Sequence, residues 1–125
     1  MLKLADILDQ ISAYHPTADL DLIKKCYVFA STSHEGQMRR SGEPYITHPL
    51  AVASIITEMK LDTAAVCAAL LHDVVEDTPA SYQDLEVLFS KEIAELVDGV
   101  TKLGKLRFRN KAERQAESFR KMLLA

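Results

Sequence analysis

An all-α fold follows from three properties of the chain. Stretches rich in Ala, Leu, Lys and Glu favour helix, apolar residues recur at three- and four-residue spacing, and only four Gly and four Pro interrupt them. With 125 residues, 48% of them apolar, there is material for one ordinary core, so residues 1–125 read as part of a single domain. No internal repeat, low-complexity stretch or convincing strand competes with that reading.

Taken in order, Leu4, Ile7, Leu8 and Ile11 outline a first amphipathic helix over 4–13, stopped before Pro16. Thr17 or Asp19 caps a second over 20–35, with Leu22, Ile23, Cys26, Val28 (or Tyr27), Phe29 and Ala30 inward. Gly36, Gly42 and Pro44 then mark an irregular loop, whose Arg39-Arg40-Ser41 is basic in an acidic region. Pro49 suits the first position of a helix, which makes His48 the expected cap. Leu50, Ala53, Ile56 and Met59, flanked by Ile55, form that helix's buried stripe. Asp62 or Thr63 caps the next helix, which runs unbroken to Thr78-Pro79. Ser81 or Tyr82 opens another, with Leu85, Leu88, Phe89, Ile93 and Leu96 as its core face. Gly99 and Gly104 interrupt, and a charged last helix begins near Lys111.

Composition narrows the function classes. No apolar run approaches the ~20 residues that span a bilayer, and Met1-Leu2-Lys3 does not open a secretory signal. Cys26 and Cys67 lie inside amphipathic patterns, so both are expected reduced and buried, and the cytoplasm is the expected compartment. The net charge of −3 is unevenly spread: residues 1–101 hold 7 Lys/Arg against 16 Asp/Glu, and residues 102–125 hold 8 against 2. The basic segment reads as a solvated face complementing the acidic remainder, with a polyanion as the other reading. Its lone Phe108 offers no aromatic interleaving, so direct nucleic-acid binding is not expected.

The chemistry concentrates in His72-Asp73-Val74-Val75-Glu76-Asp77, directly after the apolar run from Ala64 to Leu71. On a continuous helix His72, Glu76, Asp73 and Asp77 share one arc of about 140°. Carboxylates crowded there repel unless a cation sits among them, and a His-Asp pair is suitable chemistry for a divalent metal. His48, 24 positions earlier on another helix, adds an imidazole whose neutral, metal-binding form is favoured at a helix N-terminus. His48, His72 and Asp73 are therefore candidate metal ligands. The plainer alternative is that His48 merely caps its helix while His72 is a hydrogen-bonded histidine at the edge of the core. If a metal is present, Glu76 and Asp77 stand one turn further on, placed to orient and deprotonate an attacking water, as hydrolysis of a phosphate ester requires. Arg39 and Arg40 would neutralise phosphate oxygens or stack on a base, or else form an exposed, solvated loop. His34 is a candidate support for that loop, and His15 reads as surface.

Three ordered stretches carry a resemblance. They are His34-Glu35-Gly36-Gln37-Met38-Arg39-Arg40-Ser41-Gly42-Glu43-Pro44-Tyr45-Ile46-Thr47-His48-Pro49, His72-Asp73-Val74-Val75-Glu76-Asp77-Thr78, and Asp98-Gly99-Val100-Thr101-Lys102-Leu103-Gly104-Lys105. Together they resemble the N-terminal part of RelA/SpoT-type enzymes, which make and degrade the guanosine tetra- and pentaphosphate alarmones of the stringent response. The resemblance covers nearly all of the chain from about Asp19.

It implies an HD-domain helical bundle that removes the 3′-pyrophosphate of ppGpp, giving GDP (or GTP from pppGpp) and pyrophosphate. It also implies Mn²⁺ as cofactor, with His48, His72 and Asp73 as ligands and Glu76 and Asp77 acting on the attacking water. Arg39, Arg40 and Ser41 match the loop that binds the guanine nucleotide, with Arg40 where the family has Lys. The family's last metal ligand lies in a segment like Leu-Ala-Asp-Arg-Leu-His-Asn, and none occurs between Asp73 and Ala125. An incomplete bundle lacking its C-terminal helices is therefore expected. Such a piece would have weak or absent hydrolysis alone, and self-association through uncovered apolar surface. The longer parent would also act as a GTP pyrophosphokinase.

Two rivals remain. Another HD-superfamily nucleotide phosphohydrolase is opposed by Arg39-Arg40-Ser41 and by the Val100 to Lys105 motif. A non-catalytic regulatory HD module is opposed by the joint presence of His48, His72, Asp73, Glu76 and Asp77.

Overall fold

Helix α1, Leu4–Tyr14, buries Ile7 and Ile11 and ends at His15. Helix α2, Leu20–Ser33, starts where the Asp19 carboxylate accepts from the Leu22 amide at 3.0 Å, and it buries Ile23, Cys26 and Ala30. These are the spacings that put one apolar stripe on each helix. The computed structural model describes residues 2–38, 42 and 44–103, with side chains as far as Val100. Among the described residues there is no strand, only an isolated antiparallel bridge between Met38 and Pro44.

Helix α3, Thr47–Glu58, begins earlier than the sequence suggests. Pro44, Tyr45 and Ile46 already turn, with the Thr47 amide on the Pro44 carbonyl at 3.1 Å and the His48 amide on the Tyr45 carbonyl at 3.2 Å. His48 is thus the second residue of the helix rather than its cap, and Pro49 the third. Proline is tolerated there because first-turn amides have no intrahelical acceptor. Met59 lies at the C-terminal end and is exposed, so the buried stripe is Leu50, Val52, Ala53 and Ile56.

Helix α4, Thr63–Leu71, is capped by Asp62, whose carboxylate accepts from the Ala65 amide at 2.9 Å. Every residue from Val66 to Leu71 is buried. A helix apolar all round belongs at the centre of a bundle, and α4 packs against α2, α3 and α7. Around it, Gln10 on α1 accepts from Ser54 and Thr57 on α3 at 3.1 and 2.6 Å. The Tyr14 hydroxyl donates to the Leu61 carbonyl at 2.6 Å, tying α1 to the α3–α4 turn.

The expected helix from Asp62 to Thr78 is in fact two. α4 stops at Leu71, His72 and Asp73 form a turn, and α5 is the single turn Val74–Asp77. The cause is local. His72 Nδ1 takes the Ala69 carbonyl at 2.6 Å, the acceptor that the Asp73 amide uses in a continuous helix, and Asp73 opens to ψ −3°.

A second expected helix also divides. α6, Tyr82–Leu88, carries a capping box in which Ser81 and Asp84 exchange bonds of 3.2 and 2.9 Å. Phe89 then leaves helical geometry and stacks edge-on against Phe29 at 5.5 Å. Ser90 restarts the chain by accepting from the Ile93 amide at 3.1 Å, opening α7, Lys91–Leu103. Leu88 and Leu96 are consequently exposed, and Val97 joins Leu85 and Ile93 in the core. Gly99 lies inside α7 and does not interrupt it. Gly104, the Lys111 helix and nearly all of the basic segment fall outside the described residues. No helix among the described residues is long and apolar enough to cross a membrane.

Candidate metal centre

Helix α3 and the turn after α4 bring His48, His72 and Asp73 together. The two Nε2 atoms are 3.1 Å apart, His72 Nε2 is 3.0 Å from Asp73 Oδ2, and His48 Nε2 is 3.6 Å from the same oxygen. Both imidazoles are buried, and Asp73 is half-buried. Adjacent ligands held at ~2.1 Å from one ion stand roughly 3.0 Å apart in an octahedral shell and about 3.4 Å in a tetrahedral one. The triangle has the edges of a shared coordination shell, so these residues fit a divalent cation.

Proton positions favour the same reading. The short bond to the Ala69 carbonyl assigns the hydrogen of a neutral His72 ring to Nδ1, so Nε2 turns a lone pair toward the Asp73 carboxylate. Two lone pairs at 3.0 Å repel unless a proton or a metal ion lies between them. Burial opposes the charged His72 ring, but the hydrogen bond and charge of Asp73, with the Ala69 carbonyl and Asp77, raise its pKa above the usual 6.5. Burial likewise opposes the Asp73 carboxylate, yet His72 and then His48 hold it below 3.8.

Asp77 enters the site through Tyr45, whose hydroxyl is 3.0 Å from Asp73 Oδ2 and 2.5 Å from Asp77 Oδ2. Burial first, then Asp77 and Asp73, push the phenol well above its usual value, so it stays protonated. Glu76 sits on α5 beside Asp77, exposed. The 36–47 loop is anchored at the same place. Gln37 donates to the Asp77 carbonyl at 2.9 Å, and the Tyr45 amide donates to the Gln37 carbonyl at 3.1 Å. Gly36 and Gly42 supply the left-handed turns, at φ +81° and +84°. Arg39, Arg40 and Ser41 lie outside the described residues.

His34 is a loop support, as expected: it is buried, bonds Gln37 through Nδ1 at 3.2 Å and stacks on Tyr45 at 4.5 Å. Tyr45 itself was not singled out from sequence. A tyrosine three residues before His48 has no periodic signature; its only signal is its place between the basic loop and a candidate ligand.

The family model described as HD domain matches residues 26–125. The bifunctional (p)ppGpp synthase/hydrolase SpoT of Escherichia coli strain K12 is 60% identical over 125 residues, covering 99% of this chain and 18% of that protein. A guanosine-3′,5′-bis(diphosphate) 3′-pyrophosphohydrolase of Vibrio cholerae is 52% identical over 125 residues, covering all of this chain and 18% of its own length. A GTP pyrophosphokinase of Myxococcus xanthus is 53% identical over 118 residues, covering 92% and 16%. The chain thus spans under a fifth of the length of these relatives. A solved structure titled as a metazoan ortholog of SpoT that hydrolyzes ppGpp superposes with a TM-score of 0.58 at 28% identity, covering 82% of this chain and 64% of that one. Helical architecture, paired histidines beside an aspartate, and these likenesses agree: the chain belongs to the HD domain family, and its HD domain is of the RelA/SpoT type.

Proposed function

We propose that this domain hydrolyses the 3′-pyrophosphate of ppGpp to GDP and pyrophosphate, and that of pppGpp to GTP and pyrophosphate, in the cytoplasm. The observation that carries the proposal is the convergence of His48 Nε2, His72 Nε2 and Asp73 Oδ2 within 3.6 Å of one another. Such a set suits Mn²⁺, with imidazole and carboxylate donors. When bound, the ion supplies Lewis acidity toward phosphoryl oxygens and lowers the pKa of a bound water.

The chain's own residues do the rest. Asp77, with Glu76 beside it, accepts the proton of the attacking water. Water oxygen bonds to the phosphorus attached to O3′, the O3′–P bond breaks, and the 3′-oxygen takes up a proton. Arg39, Arg40 and Ser41 hold the nucleotide through its phosphates and base. The names of the E. coli and V. cholerae relatives support this substrate. The free, buried thiols of Cys26 and Cys67 are in keeping with the cytoplasm. In the longer parent, a synthetase activity like that named for the M. xanthus relative would accompany it.

The test is pyrophosphate release from ppGpp, pppGpp, GTP and ATP with Mn²⁺, by this chain and by a version extended through the following helices. Release from ppGpp and pppGpp alone, abolished by EDTA and stronger in the extended protein, is the expected result. Equal cleavage of GTP and ATP would transfer the domain to another nucleotide hydrolase class.

A further inference from the structure

The short helix α5 poses a physical problem. Four residues are far below the ~12–15 at which an isolated helix holds together in water. It nevertheless carries Asp77 and is preceded by Asp73 at its N-cap, two carboxylates four residues apart that repel one another. Val74, fully buried, anchors one side, and Thr78 bonds back to the Val74 carbonyl at 2.5 Å. The acidic side is held from the loop before α3.

We propose that Tyr45 is the positioning residue of the metal centre, its hydroxyl pinning α5 so that Asp73 keeps its oxygen on the histidines and Asp77 stands beside it. The inference rests on reading Asp73 as ligand and Asp77 as proton acceptor. A phenol has one proton, which cannot serve two carboxylates together. The 2.5 Å contact is the shorter, so Tyr45 donates to Asp77, and the 3.0 Å contact leaves Asp73 Oδ2 available to His72 or a cation.

The ring is itself oriented by a closed circuit. The Asp77 carbonyl takes the Gln37 amide hydrogens, which turns Gln37 Oε1 toward His34 Nδ1. His34 then donates from Nδ1, leaving Nε2 as the buried nitrogen, which has no hydrogen-bond partner among the described residues. Its ring stacks on Tyr45 at an interplanar angle of 25°. Gln37 and Tyr45, which flank residues 39–41, and the acidic helix are thereby one mechanical unit, joined by the Gln37 amide and the Tyr45 hydroxyl.

Tyr45→Phe keeps the ring on His34 and removes only that hydroxyl. Two readouts separate positioning from general structure. In the metal-free protein, amide exchange at Asp77 and Thr78 is expected to quicken on the order of tenfold, while Ile11 on α1 is unchanged. In titration calorimetry, Mn²⁺ is expected to bind about tenfold more weakly, the usual effect of losing a group that orients a ligand. Unchanged exchange at α5, unchanged Mn²⁺ affinity, or faster exchange throughout the chain would each overturn the proposal. Failure of the unsubstituted chain and its extended version to take up Mn²⁺ would instead contradict the metal reading, and the exchange comparison would still decide the role of Tyr45.

Discussion

Asp73→Ala is expected to lose Mn²⁺ binding and pyrophosphate release together. Asp73 Oδ2 lies 3.0 Å from His72 Nε2 and 3.6 Å from His48 Nε2, so its removal takes the carboxylate donor away from the two imidazole nitrogens. Removing a residue that only orients a ligand costs about 10–100-fold in metal affinity; loss of the ligand itself should exceed the upper figure. The same substitution has a signature without metal. His72, raised above 6.5 by Asp73, contributes stability that is fully present below 6.5 and lost as pH rises through its folded value. Asp73, held below 3.8, contributes stability present above 3.8 and lost as pH falls through its folded value. In EDTA the unsubstituted protein should therefore melt highest between those limits and weaken toward alkaline pH. In Asp73→Ala the alkaline decline should shrink, because burial, which disfavours the charged ring, is then opposed only by the Ala69 carbonyl and Asp77. Identical melting profiles from pH 4 to 8 would contradict the pairing.

The second large effect is on the scaffold. Leu70 is fully buried on α4, the helix that touches α2, α3 and α7 and ends immediately before His72. Leu70→Ala is expected to cost about 3 kcal/mol, from lost burial plus the cavity left behind. For a chain of this size that lowers the melting temperature by on the order of 10 °C. Leu88→Ala is the informative contrast. The apolar spacing places Leu88 in the core, but the break at Phe89 leaves it 55% exposed, so the change should be within about 0.5 kcal/mol. Thermal unfolding of the two variants side by side decides whether α6 and α7 are separate helices.

Much of this architecture was legible in the chain. Asp19, Asp62 and Ser81 announce helix starts because a short polar side chain can take an orphan amide there, and each does so. The meeting of His48 with His72 was readable from residue type, since two imidazoles and a carboxylate beside the apolar stripes of two packed helices suit a common metal. Two breaks were not readable. At Phe89-Ser90 the apolar spacing runs on from Leu85 to Leu96 without a glycine or proline to mark the stop. At His72-Asp73 the backbone remains in the helical region, and the interruption comes from an imidazole taking a backbone carbonyl. Tyr45 was hidden for a different reason: its role depends on a loop returning to touch a helix 28 residues later, which no local pattern encodes.

The decisive measurement is the position of Mn²⁺ itself, from anomalous diffraction at the manganese edge in crystals grown with the ion. A single peak bonded in common to His48 Nε2, His72 Nε2 and Asp73 Oδ2, at about 2.1 Å from the nitrogens, is the predicted result. A peak on other residues, or none at Mn²⁺ concentrations that support hydrolysis, would contradict the assignment.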